Sequence, residues 1–276
     1  MNGVRDIVRT ASRERYIATL FAPENKREAL FALYAFDAEI DRICDLAHDP
    51  LPGEIRLQWW RDVANGERDG EAKGHPVAAS LLAAIADHGL PRAAFDSYCE
   101  ARIFDFYHDL MPDQTALEAY LGATQSAIIQ LAAMILYKDA AKNVTDAAGH
   151  AGVALGLAKI LRQLPMIRRR GQGFVPQTIL EAAGLSGKAS LADANSAAGQ
   201  RVAGALAALA ESHLAKFRAA ASSLPRQLRP AFLPIASLPR RLKALEGQGD
   251  PLNTAPDESP LGVTWDIARA ALGRQM

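Results

Sequence analysis

Three aspartates at four-residue spacing, Asp37, Asp41 and Asp45, fall in the segment Tyr34-Ala-Phe-Asp37-Ala-Glu39-Ile-Asp41-Arg-Ile-Cys-Asp45. On a helix, residues four apart share a face, so the three carboxylates stack along one line. Like charges at that spacing repel, and water, a basic partner or a cation must offset them. Mg²⁺ takes carboxylate oxygens together with substrate phosphates, which makes Asp41 and Asp45 candidate metal ligands. The plain alternative is a solvated face beside Arg42. Asp105 and Asp109 share the spacing and read as surface or helix-end charge.

A second group is basic: Arg162, Arg168, Arg169 and Arg170. Guanidinium donors suit phosphate because they contact it in pairs. These four are candidate diphosphate or anionic-lipid contacts, or else a solvated helix end whose charge complements the helix dipole. Of Trp59 and Trp60, one is expected in the core. His150 reads as a helix-packing residue. There is no Ser-His-Asp frame, phosphate loop or dinucleotide fingerprint.

The elements that must position these groups are helical. Ala and Leu are abundant and aromatics are 7% of the chain, a balance that favours helices. Pro and Gly divide the chain into blocks. A helix is expected from Pro23 to about Ala47, the next after Pro52, and a short one from Pro76. Pro91 starts another, to about Leu110. Asp113 caps one that reaches Tyr137. Thr145 to Leu164 follows, broken near Pro165. Ser190 to Ser223 is a long Ala-rich helix, Pro225 to Gly247 holds one or two, and Ser259 to Gln275 adds a short one. No alternating strand pattern or internal repeat stands out. Residues 1–276 read as one all-α domain, with 247–260 a loose connection.

Lys+Arg and Asp+Glu are 31 each in 276 residues. This neutrality gives no global attraction to nucleic acid or anionic membrane. Two cysteines, Cys44 and Cys99, are too few for a disulfide framework. No secretory signal is expected, and the apolar run Ala127 to Tyr137 is short for a span. The expected location is cytoplasmic, or peripheral at the inner membrane face.

Lys26 through Phe36 resembles the approach to the first aspartate-rich motif of the squalene/phytoene synthase family, where Tyr-Ala-Phe precedes a DxxxD motif. Its two acids fall on Asp41 and Asp45. Leu161 through Pro176 resembles the second motif region, but the family's acids are replaced by Gln163, Met166 and Ile167. Gln supplies no charge, and Met and Ile supply no hard oxygen. Tyr120 with Thr124-Gln125-Ser126 is similar to the family's branch of respiratory complex I assembly factors. So are Ile55 to Trp60, the stretch at His150, and Arg229 to Leu233. That branch often lacks the first acid, which is present here. The similarity runs roughly from Ser12 to Leu245.

The resemblance implies an all-α isoprenoid synthase bundle with a central cavity, around which Tyr34, Phe36, Thr124, Gln125 and Gln163 are candidates. Two functions are open. One is a non-catalytic or weakly catalytic lipid-binding protein in complex I assembly, with prenyl diphosphate or another lipid and assembly proteins as partners and no cofactor. The other is a divergent prenyltransferase in isoprenoid biosynthesis, with Mg²⁺ on Asp41 and Asp45. Neither involves nucleic acid.

Overall fold

The computed structural model describes every residue except 1, 48, 140–143, 186–190, 247–248, 257 and 274–276. Among the described residues there is no strand. Three long helices form the frame: the acidic helix Glu24–Leu46, the central helix Thr145–Arg170, and Ser196–Ala221, which packs along the central helix. The acidic helix is covered by Asn2–Ala11, Pro76–His88 and Ala127–Leu136. Pro50–Asn65 packs on Arg92–Arg102, and Pro260–Leu272 closes over Arg13–Leu20 and the tight turns at Leu233–Ser237.

The start signal at Asp113 works as expected. The Asp113 carboxylate accepts from the Ala116 N–H at 2.9 Å, opening a rod that runs from Gln114 to Leu136. Residues Gly122–Ser126 form a π-helical stretch within it. This rod is longer than the apolar run read from the sequence, and by length and composition it could cross a membrane. Here 61% of its apolar window is buried, because it lies between the acidic and central helices.

Several helix boundaries differ from expectation: the helix expected after Pro52 opens at Pro50, and the Ala-rich helix opens at Ser196, the expected start Ser190 lying outside the described residues. The central helix passes through Pro165 and ends at Arg170, where Gly171 takes φ +66. Proline removes one backbone donor, but the buried stripe Leu157, Ile160, Leu161, Leu164 and Ile167 keeps helical spacing on both sides. Packing of that stripe outweighs the lost bond. The helix from Arg92 stops at Arg102, well short of Leu110, and gives way to a 3₁₀ turn at Ile103–Phe106. Residues 249–256 are irregular, as expected, and anchored: Leu252 is buried and Gly249 accepts from Gln200.

The central helix meets the π-helical stretch at close range. A Cβ on Gly152 would lie 2.4 Å from the Ser126 backbone, and one on Gly156 would lie 2.4 Å from Leu121. Ser126 Oγ donates to the Gly149 carbonyl across the same contact, at 3.0 Å. Lys159 and Gln163 continue this face at helical spacing, so the glycines set how deeply those two side chains reach. Gly152→Ala is expected to destabilise the fold by about 1–3 kcal/mol, measured by urea unfolding.

His150 packs on His213 of Ser196–Ala221, with their Nδ1 atoms 3.1 Å apart. Burial, then His213 and Lys216, push the His150 pKa down, against opposing pulls from Asp146 and Glu118. The unfolded chain therefore takes this proton first. The contribution of His150 to stability is complete above its unfolded pKa, about 6.5, and is lost as pH falls below it. The fall in Tm between pH 7.5 and 5.5 is expected to be smaller in His150→Gln than in the parent protein.

Candidate functional site

The acidic helix turns its three aspartates toward cations from three other elements. Asp37 is buried and accepts from Arg15 Nη1 and the Tyr98 hydroxyl. Arg15 also donates to Gln125 Oε1 at 3.1 Å and lies over the Tyr34 ring, 5.2 Å from its centroid. Burial opposes the Arg15 charge, and the Asp37 carboxylate more than compensates, raising its pKa. Burial pushes the Tyr34 phenol up to about 12.

Asp41, one turn further along, is held from two sides. Lys159 Nζ donates to both of its oxygens at 2.7 Å, and Arg102 Nη1 lies 2.9 Å from Oδ1. Burial alone would raise this carboxyl; Lys159 and then Arg102 outweigh it and hold it well below the usual range. Arg102 is itself buried and reaches on to Asp105 at 2.8 Å. Asp105 also accepts from the Tyr120 hydroxyl at 2.6 Å. Its burial raises the carboxyl, only partly opposed by Arg102 and Tyr120. Asp45, half-exposed, pairs with Arg170 at 3.1 Å, and Arg170 also donates to the Asp45 carbonyl.

Asp105 thus corrects the expectation of surface charge. Because the helix ends at Arg102, Asp105 and Asp109 do not share a face: Asp105 turns inward and Asp109 stays exposed. The four arginines do not form one cluster either. Arg170 reaches the acidic helix, Arg168 bonds Asn253 and the Ala194 carbonyl, Arg169 is exposed, and Arg162 lines a separate cleft. Positions along a helix diverge by about 100° per residue, so consecutive arginines cannot all face one ligand.

Gln163, Met166, Thr124, Gln125, Asp41 and Lys159 border the space between the two motif regions, with a volume of about 60 Å³. That holds a few waters and falls short of the roughly 300 Å³ at which small-molecule pockets begin. Beside it, past Lys159, a cleft of about 310 Å³ is bordered by Arg13, Arg15, Arg162 and Arg241 and by the acids Glu14, Asp37, Asp41 and Glu258, of which Asp37 pairs with Arg15, and Glu14 and Glu258 pair with Arg241. Phe36 lies away from both spaces, in the aromatic core with Trp60, Phe95 and Tyr98. Tyr34 is buried against Arg15 and borders neither space. Trp60 is the buried member of its pair, and Trp59 bonds Glu71. Burial pushes the Cys44 and Cys99 thiols up to about 12, so neither is a ready nucleophile.

The family model described as squalene/phytoene synthase matches residues 8–265. The chain belongs to the squalene/phytoene synthase family. It is 28% identical to the bovine (Bos taurus) protein named "NADH dehydrogenase (ubiquinone) complex I, assembly factor 6", over 87% of this chain and 72% of that one. It is 29% identical to a presqualene diphosphate synthase of Rhodopseudomonas palustris, over 62% of this chain and 61% of that one. A crystal structure of a dehydrosqualene synthase in complex with ligand superposes with a TM-score of 0.78 at 16% identity, covering 97% and 94% of the two chains. The fold is the all-α isoprenoid synthase bundle.

Squalene/phytoene synthases imply Mg²⁺ between two acidic motifs, and the donors here do not fit it. Both oxygens of Asp41 face cations at 2.7–2.9 Å, and the facing helix offers Gln163, Met166 and Ile167. Among the described residues, no three His, Cys, Asp or Glu side chains group to hold a metal. Lys159 was not singled out from the sequence, yet it was legible there: it sits one turn before Gln163, on the face of the missing acids. Arg15, Arg102 and Tyr98 had no such signal, since only the tertiary fold brings them to the acidic helix.

Arg102 neutralises two carboxylates at once. Removing one partner of a buried pair leaves uncompensated charge, so Arg102→Ala is expected to cost about 3–5 kcal/mol by chemical denaturation. The double variant Arg102→Ala/Asp105→Asn, in which Asp41 keeps Lys159, is expected to recover part of that loss.

Proposed function

We propose that this chain is a non-catalytic squalene/phytoene synthase-like protein that works in respiratory complex I assembly, on the cytoplasmic side at the inner face of the membrane. The observation that carries this reading is the Lys159 ammonium seated on both oxygens of Asp41, with Arg102 behind it. Metal ions in such a site neutralise a leaving diphosphate as charge develops. A lysine anchored on Asp41, with Arg102 behind it, neutralises that acid and leaves it no free charge with which to hold a metal against a leaving group. The similarity to assembly factor 6 proteins supports the same reading. Partners on this view are assembly proteins and, where a prenyl or other lipid binds, its head group meets fixed cations such as Arg13 and Arg162 at the neighbouring cleft. No metal cofactor is required.

Pure protein incubated with Mg²⁺ and farnesyl or geranylgeranyl diphosphate is expected to release no diphosphate and form no hydrocarbon. Asp45→Ala removes a first-motif acid whose exposed pairing with Arg170 contributes little, about 0–1 kcal/mol. In a deletion strain, the parent protein and Asp45→Ala are both expected to restore assembled complex I. Mg²⁺-dependent diphosphate release that disappears in Asp45→Ala would instead establish a prenyltransferase.

A further inference from the structure

The C-terminal third lines a partly open cavity of about 340 Å³ that shares no lining residue with the aspartate site. Ser196–Ala221 contributes Leu214 and Phe217, the following turns contribute Phe232 and Leu233, and Pro260–Leu272 closes one side with Ala270. The first four are at most 7% exposed. Phe217 and Phe232 stack at 5.5 Å between centroids. The floor is therefore hydrocarbon, and the volume reaches the lower end of ligand pockets, about 300 Å³.

The rim carries charge of one sign. Arg218 and Arg269 both line the cavity and both are exposed. Neither has a carboxylate partner among the described residues. The acid at the rim, Asp266, is held by Arg240 through bonds of 2.6 and 3.1 Å. Two unpaired guanidinium groups above an apolar floor match a molecule with an anionic head and a hydrocarbon tail.

We propose that this cavity is a binding site for an anionic amphiphile, with one hydrocarbon chain inserted and a carboxylate or phosphate head on Arg218 and Arg269. Nothing in the reading of the aspartate site assigns it. The ligand is either a free amphiphile or a bilayer lipid. A bilayer source fits the helix that walls the cavity: Leu261, Trp265 and Leu272 are 79%, 66% and 82% exposed, and their spacing places them on one face.

The test titrates the full chain with dodecyl phosphate and with dodecanol by calorimetry. The phosphate is expected to bind at least about tenfold tighter than the alcohol, the discrimination of one charge-assisted contact. Arg218→Gln/Arg269→Gln should erase that preference and leave the alcohol unchanged. Ala270→Phe, which fills the cavity, should weaken both ligands by about tenfold or more; Ala236→Leu serves if Ala270→Phe loses its helical circular dichroism. Vesicles containing phosphatidylglycerol distinguish the sources. Flotation lost in the filled variant assigns a bilayer lipid, and soluble binding without flotation assigns a free amphiphile. Absence of dodecyl phosphate binding overturns the proposal, as does binding that survives both the filled and the arginine-free variants. Flotation that survives filling and is lost only in Trp265→Ala overturns the bilayer source, makes the helix face the membrane contact and assigns the cavity to a free amphiphile.

Discussion

Asp41 is neutralised from two directions, by Lys159 of the central helix and by Arg102 at the end of Arg92–Arg102. A carboxylate stripped of much of its water is tolerable only with such compensation. The contact ties together three helices that are far apart in the chain. It also fixes the depth at which the central helix can sit, since Lys159 must reach across while Gly152 and Gly156 allow the backbone behind it to approach Ser126 and Leu121. Small residues and a long cation on one helix face are thus two halves of a single arrangement.

The surrounding charges close without any external ion. Asp37, Asp41, Asp45 and Asp105 are four carboxylates, and Arg15, Lys159, Arg102 and Arg170 are four cations bound to them. A dication entering this network would meet ammonium and guanidinium groups at short range. At an effective dielectric of about 20, one like-charge pair 4 Å apart costs about 4 kcal/mol. Entry would require those side chains to swing away, and Arg102 has little room to do so because it is buried on both sides of its fork.

Much of this was legible in the sequence and some was not, for identifiable reasons. Periodicity and capping residues located the helices: Asp113 opens its helix, and the four-residue spacing of the aspartates does put them along one face. Pro165 misled because local backbone preference weighs less than a continuous buried stripe. Asp105 misled because its pairing depends on where a helix stops, and boundaries are set by tertiary fit. The arginines of 162–170 looked like one cluster because adjacency in sequence is not adjacency around a helix. Arg15 and Arg102 were silent, since nothing local distinguishes a cation that will cross to an acid from one that will face water.

Retention of the first motif is not by itself a mark of metal chemistry. An intact Asp-x-x-x-Asp is ordinarily taken as a sign of metal chemistry, yet here removal of Asp41 would strand Lys159 and Arg102 together. The acid is needed for stability whether or not it serves catalysis. The residue that carries information about chemistry is the one at 159, because a cation there sits where the helix would otherwise present space for a metal. Among family members lacking second-motif acids, the side chain one turn before the first vacant position should therefore say more about the fate of the site than the surviving aspartates do. Where it is small or neutral, the acidic helix stays unbalanced and still needs a cation from outside. Where it is lysine, the balance is already made within the chain.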